Sequence, residues 1–466
     1  MSYRLSSYSI FIERDNDPSH YILIHGYTGT IDIVSTDIVS FLRGADTFDK
    51  DSFPFSDSTW DNLLKRGYLT AKTKEEEFGF VKKMADVLHK KGRLFNVFTF
   101  LVSYDCNFRC PYCYEASISG NGRKWTKQTF TEDMVDKAYE AISKIRVDER
   151  TTNKSIQLYG GEPLLAENKK IVEYIVKQGK QRGYVFNAVT NGYDLDAYED
   201  LLGPDNITRL QITVDGDREW HNKRRIHYQN PDSFDKIIAN IGIALAKGTV
   251  ISVRINTDRN NIDSIKNLRR RFDELGYTAD ENFHFYSAWL ASVEKEDRSV
   301  ENAAQIDYMD YKEYYRKIVS MNNIVSCNID KMYRHIYRAI SKGEHISLSS
   351  VGCASQCGSY IFDPYGEMYS CLETIGNRRH VVGKYISENG IEWNDGVLGE
   401  WHRNASDFSG CRTCKHLFFC QGGCIADRIN EKKDYGGSTI CDSFRDRLRI
   451  SANKAYDNYL KSGSVL

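Results

Sequence analysis

Short runs of apolar and β-branched residues, at about 97–102, 155–159, 185–189, 209–214, 250–256 and 283–287, predict six buried strands with helices between them. Strands alternating with helices imply an α/β fold, and in α/β barrels the chemistry gathers at the carboxyl ends of the strands. The pattern before residue 92 is different. β-formers cluster at 8–13, 21–25 and 30–34 around the turn Gly26-Tyr27-Thr28-Gly29, predicting a β-rich opening. Thr36-Asp37 is expected to cap a helix at 38–42, Asp57 or Ser58 one at 60–66, and 74–91 reads as a longer amphipathic helix. After the strands, 306–342 is rich in Tyr, Arg and Lys and reads as bridging helices. Tyr308, Tyr311, Tyr314, Tyr315, Tyr333 and Tyr337 are expected there as half-buried packing residues.

The first strand runs into Cys106-x3-Cys110-x2-Cys113. Three closely spaced thiolates can hold three irons of a 4Fe-4S cluster and leave the fourth open to bind a reactant. Phe108 and Tyr112 are placed to shield such a cluster, and Pro111 stiffens the loop by fixing φ. A zinc knuckle would want a fourth Cys or His nearby, and none is there. Later strands end in Gly160-Gly161-Glu162-Pro163, in Thr190-Asn191-Gly192 and, after Thr213-Val214, in Asp215-Gly216. Taken singly these are turn chemistry. His221-Asn222-Lys223-Arg224-Arg225 follows, and its basic triplet taken alone reads as a solvated face. Arg254 and Asn256 stand on the next strand.

A second cysteine set occupies the last third: Cys353-x3-Cys357, Gly366-x4-Cys371, Cys411-x2-Cys414-x5-Cys420-x3-Cys424, and Cys441. Paired CxxC elements are also zinc ligands, so a zinc ribbon is the alternative to iron. Cys327 is left over and reads as a buried free thiol.

The serial order of these motifs resembles the radical S-adenosylmethionine (radical SAM) superfamily, and 353–441 resembles the SPASM extension of its peptide-modifying members. The resemblance implies a partial (β/α)6 barrel, a winged-helix-like N-terminal recognition domain and a C-terminal iron-sulfur domain. The expected boundaries are 1–92, 93–305, bridging helices 306–345, and 346–466. It implies three 4Fe-4S clusters: one on Cys106, Cys110 and Cys113, one on Cys353, Cys357, Cys371 and Cys424, one on Cys411, Cys414, Cys420 and Cys441. If Cys357 does not ligate, the second of these has an open iron that a substrate thiolate could occupy. SAM is expected against Tyr112, Gly160, Gly161, Glu162, Pro163, Thr190, Asn191, Thr213, Asp215, Arg254 and Asn256. The implied activity is hydrogen abstraction from a ribosomally made precursor peptide to install a crosslink, a Cys thioether first, a carbon-carbon or carbon-oxygen link second, formylglycine formation in a sulfatase third. Its implied partners are the precursor with its leader and a flavodoxin- or ferredoxin-type reductant. A non-catalytic iron-sulfur or zinc peptide-binding module is the reading of another class, but it has no need of a SAM pocket.

Composition narrows the rest. In 466 residues, 63 Lys and Arg stand against 64 Asp and Glu, so no global field argues for nucleic acid or an anionic membrane as partner. No apolar run reaches membrane-spanning length and no signal peptide is evident, so a cytoplasmic location is expected. In that reducing compartment twelve cysteines read as ligands rather than disulfides.

Overall fold

The computed structural model describes residues 2–115, 118, 123–146, 153–290, 306–321, 325–431 and 439–462. The chain divides into two compact units: Met1–Arg93 with Asn328–Cys357 and Glu400–Leu466, and Leu94–Cys327 with Gly358–Gly399. No helix among the described residues is long and apolar enough to cross a membrane.

In the first unit β1 (Arg4–Leu5) pairs with β5 (Leu69–Thr70), and β2 (Ser9–Glu13), β3 (His20–His25) and β4 (Ile31–Ser35) form an antiparallel sheet in that order. Strand alternation splits the sheet's side chains between two cores. Ile10, Ile12, Ile22 and Ile24 join Ile336, Ile340, Leu448 and Ala452 of the helices Cys327–Lys342 and Thr439–Lys461. Leu23 turns the other way, onto Leu42, Trp60 and Leu63. Truncating one of these isoleucines to Ala should cost about 2–5 kcal/mol, because a close-packed cavity collapses only in part. The helices Thr36–Gly44 and Asp57–Lys65 are capped by Ser35 and Ser56, not by Thr36-Asp37 and Asp57 or Ser58. Each serine is still extended and its oxygen accepts an orphan N–H, whereas Asp37 and Asp57 already lie in the first turn. Thr73 and Glu76 form a capping box for Lys74–Gly92. Glu77 of that helix is wholly buried, yet it is ionic because Arg4 Nη2 (2.9 Å) and the Ser7 N–H (3.0 Å) reach it.

The second unit is built on one eleven-stranded sheet. Its centre is six parallel neighbours in chain order: β6 (Val97–Leu101), β7 (Ser155–Tyr159), β8 (Val185–Thr190), β9 (Ile207–Thr213), β10 (Val250–Thr257) and β11 (Phe283–Trp289). These match the six predicted strands. Glu132–Ile145, Lys169–Gln181, Phe234–Ala246 and Ile265–Glu274 are the main helices between them. Two additions were not predicted. β12 (Val325–Ser326) extends the sheet beyond β11. On the other side β13 (Ser359–Phe362) runs parallel to β6 and leads to antiparallel β14 (Glu367–Tyr369), β15 (Gly383–Ser387) and β16 (Gly390–Trp393), so the first barrel strand has no open edge. Cys371 follows β14. Tyr311 and Tyr314 are buried outright, and Tyr314 Oη lies 2.9 Å from Ser287 Oγ; Tyr315, Tyr333 and Tyr337 are half-buried, while Tyr308 is exposed, against expectation. The Cys327 side chain lies outside the described residues, as does 291–305.

Candidate functional site

The loop after β6 is fixed from its base. Val102 N–H donates to Tyr159 O (2.9 Å), Gly161 N–H to Ser103 O (3.0 Å) and Glu162 N–H to Asp105 O (2.7 Å). The glycines are required by this contact: a Cβ on Gly160 would stand 2.3 Å from Ser103 O, with φ at +150°, and one on Gly161 2.4 Å from Asp105 O. Glu162 then ties the next strand end to the same place. Its carboxylate accepts from Thr190 Oγ1 (2.6 Å), Asn191 N–H (2.6 Å) and Leu164 N–H (2.9 Å), and burial nonetheless pushes it up to about 7. Asn191 Nδ2 closes the ring by donating to Asn107 Oδ1 at 2.7 Å, within the cysteine loop. Pro163 offers its carbonyl to Asn168 Nδ2 (3.5 Å).

Cys106, Cys110 and Cys113 are half-buried and close enough to act on one another. Burial pushes all three thiols up; Cys106 rises further through Glu162, Cys110 and Cys113, and Cys113 reaches about 12 through burial, Glu115 and Cys110. Three thiolates held this way need a cation among them, which is the condition a thiolate-bound iron-sulfur cluster meets. The donor set fits such a group, and the Phe108 N–H already points at Cys106 Sγ (3.4 Å). The outer side of the loop is pinned by the segment after β9: Arg109 N–H donates to Ile226 O (2.8 Å) and Tyr228 N–H to Asn107 O (3.0 Å).

A second network begins at Tyr112, whose hydroxyl donates to Asp215 at the end of β9. The other Asp215 oxygen accepts from Asn256 N–H (2.9 Å), and Arg254 Nε donates to Asn256 Oδ1 (2.8 Å). Thr213 is the register partner of Arg254. Arg224 and Arg225 are not the solvated face their triplet suggests. Arg224 is fully buried, with Nη1 3.0 Å from Asp258 Oδ1, and Arg225 Nη1 donates to Tyr112 Oη at 3.3 Å; Lys223 alone faces solvent, beside Glu219. The expected SAM residues thus fall into two hydrogen-bonded groups converging on the cysteine loop.

Sequence reading passed over three contributors. Asn107 bridges the loop to Asn191; Asn261 Nδ2 holds the carbonyls of Asp215 (3.2 Å) and Asn256 (2.9 Å); Glu115 is buried and pushed up to about 8 by that burial. The first and third sit inside the stretch CNFRCPYCYE and could have been flagged by position. Asn261 carried no signal.

In the first unit Cys411, Cys414, Cys420 and Cys441 form another mutually interacting group. Burial pushes Cys420 up to about 11, with Cys411, Cys441 and Cys414 adding to it. Arg428 Nη2 donates to Cys411 Sγ at 3.1 Å while its Nε holds Gly422 O. Cys353 is exposed, and Cys357 is buried and pushed up to about 11 by burial and then by Cys353. Cys424 belongs to the same unit and is exposed; Cys371 belongs to the other.

The chain matches the model of the radical SAM superfamily over residues 100–272. It is 21% identical over 368 residues to a cysteine-type anaerobic sulfatase-maturating enzyme of Clostridium novyi, covering 76% of this chain and 94% of that one. With the radical SAM cyclopropyl synthase TigE of Paramaledivibacter caminithermalis it shares 24% identity over 378 residues, 75% of this chain and 71% of that one. Its fold is similar to that of Streptococcus suis SuiB bound to precursor peptide SuiA, with a TM-score of 0.51 at 14% identity over 94% of this chain and 99% of that one. Proteins of that superfamily bind a 4Fe-4S cluster and SAM, and what this chain shares with them is the radical SAM domain at residues 100–272.

Proposed function

We propose that this protein is a peptide maturase that removes hydrogen from a ribosomally made precursor and installs an intramolecular crosslink, a Cys thioether first. The observation that carries the reading is the second group of interacting thiols, Cys411, Cys414, Cys420 and Cys441, in a chain that already has a complete cysteine loop. Cys106, Cys110 and Cys113 would hold the cluster that binds SAM; Cys353, Cys357, Cys371 and Cys424, and then the group of four, would hold two auxiliary clusters. The chemistry supplied there is one-electron reductive cleavage of a sulfonium, strong enough to take hydrogen from an unactivated C–H bond. What the chain's own residues do is position and shield. Glu162 locks the ends of β7 and β8 to the loop, Tyr112 locks the loop to β9, and Gly160 and Gly161 leave room for backbone to approach closely.

Residues 1–92 would recognise the leader by adding an extended peptide to a sheet edge, so that remote binding energy delivers the reacting segment. A flavodoxin- or ferredoxin-type protein would supply electrons. Support comes from the names of the relatives and from a fold likeness to a precursor-bound enzyme that runs over 94% of the chain.

The test is anaerobic reaction with SAM, a reductant and the short peptides encoded beside the gene. A crosslink removes two hydrogens and keeps every heavy atom, whereas formylglycine formation from Cys removes the sulfur. The second outcome would favour the sulfatase-maturase reading, which the coverage of 94% of the Clostridium novyi enzyme supports. Iron near about twelve per chain is expected for three 4Fe-4S clusters; about four, with zinc in the tail, would reject the auxiliary pair.

A further inference from the structure

The two arginines after β9 lie against the two aromatic residues that flank Cys110 in sequence. Arg225 is 9% exposed; its Nη1 reaches Tyr112 Oη, and its guanidinium lies 5.4 Å from the centre of the Phe108 ring. Phe108 and Tyr112 flank Cys110 in sequence. The Arg224 guanidinium is 5.3 Å from the centre of the Tyr112 ring. Arg224 is paired with Asp258 (3.0 Å), whereas no carboxylate among the described residues lies within ion-pair distance of Arg225, so Arg225 is the buried cation on this side of the loop whose charge is left uncompensated at contact distance.

Arg225 Nε and Arg224 Nη2 are buried N–H groups with no hydrogen-bond partner among the described residues. Such groups are costly to bury unless an anionic acceptor lies against them. The potential of an iron-sulfur cluster follows its net charge and the hydrogen bonds to its sulfurs, so fixed cations favour the reduced, more anionic state. We propose that Arg225, backed by Arg224, is a charge-setting residue that makes a cluster on Cys106, Cys110 and Cys113 easier to reduce by one electron. This rests on the reading that the three thiols carry a 4Fe-4S cluster.

Reconstituted full-length protein, titrated against redox mediators, is followed by the electron paramagnetic resonance signal that changes when SAM is added. Without such a signal in the wild type, the cluster reading falls and the proposal with it. With the signal present, Arg225→Gln at undiminished iron content should lower the equilibrium constant for reduction at least tenfold, about 59 mV for one electron. Arg225→Lys, which keeps the charge, should recover most of that. An unchanged potential in Arg225→Gln overturns the proposal, as does an equal loss in Arg225→Lys. Should Arg225→Gln not retain iron, Asp215→Asn decides: removing the anion beside the arginines should shift the equilibrium toward the reduced cluster, and no shift, or the opposite one, overturns the proposal.

Discussion

The Tyr112 phenol donates to the Asp215 carboxylate, joining the cysteine loop to the end of β9 across 103 residues of chain. Asp215 is wholly buried, and its second oxygen is already taken by the Asn256 N–H. Tyr112→Phe therefore leaves one carboxylate oxygen short of a donor inside the protein, a loss of about 1–3 kcal/mol. The loop should loosen from β9, seen as faster iron loss to a chelator and a lower Tm. Equal chelation rates in variant and wild type would count against the tether.

The two glycines after β7 give a sharper contrast. Gly160→Ala and Gly161→Ala each drive a methyl into carbonyl oxygens of 103–105, which cannot retreat because they accept the hydrogen bonds that build the loop. Iron binding and SAM cleavage should both be lost. Gly183 also has a positive φ, +77°, but a Cβ there meets nothing within 4 Å. Gly183→Ala should cost only the backbone penalty of about 1–2 kcal/mol and keep its iron, read by iron assay after reconstitution.

These pairs mark what the residue pattern could and could not convey. The six barrel strands were legible because a continuous apolar run of strand length has few other uses, and each ended within a few residues of its prediction. Caps slipped by one or two residues at Ser35 and Ser56, where several neighbouring polar residues could each have served. The two-residue strands β1, β5 and β12 carry too little pattern to detect. Burial of Arg224 and Arg225 was invisible, since a basic triplet has the same composition whether water or Asp215 and Asp258 receive it. The glycines of GGEP were legible as glycines, but their reason, a neighbouring backbone at van der Waals limits, depends on the fold.

Asp363 makes the turn between β13 and β14, accepting from Glu367 N–H (2.8 Å), Tyr365 N–H (3.0 Å) and Tyr104 Oη (2.8 Å). Burial outweighs these bonds and pushes its carboxyl up to about 7. The folded state therefore holds this proton more tightly than the unfolded chain does. The stability it contributes is complete below the ordinary aspartate range and is lost as pH rises through about 7. Asp363→Asn has no such proton, so its stability relative to wild type should climb between pH 5 and 7 by up to about 1.4 kcal/mol per unit. Urea unfolding of both proteins at several pH values checks it, and parallel curves would refute it.

The sheet β2, β3 and β4 is packed on both faces, by Ile22 and Ile24 on one side and Leu23 on the other, so what it can offer a leader peptide is an edge. At the β2 edge Asn453 Nδ2 already holds Glu13 O (3.0 Å). At the β4 edge Arg66 Nη2 takes Ile31 O (2.9 Å), leaving the stretch from Asp32 to Ser35. In an antiparallel ladder the N–H groups of adjacent residues alternate between facing the partner strand and facing away. Of Ile33 and Val34, paired in register with Ile22 and Tyr21, one therefore points its N–H at β3 and the other outward. Proline on the inward residue removes a ladder bond and should lower the Tm; on the outward residue an edge strand tolerates it. Of Ile33→Pro and Val34→Pro, the variant that melts like wild type should bind a fluorescently labelled precursor at least tenfold more weakly, because it has lost the donor and gained a ring where the leader would add. Unchanged affinity in that folded variant would leave the sheet as a structural cap and end the leader-binding reading.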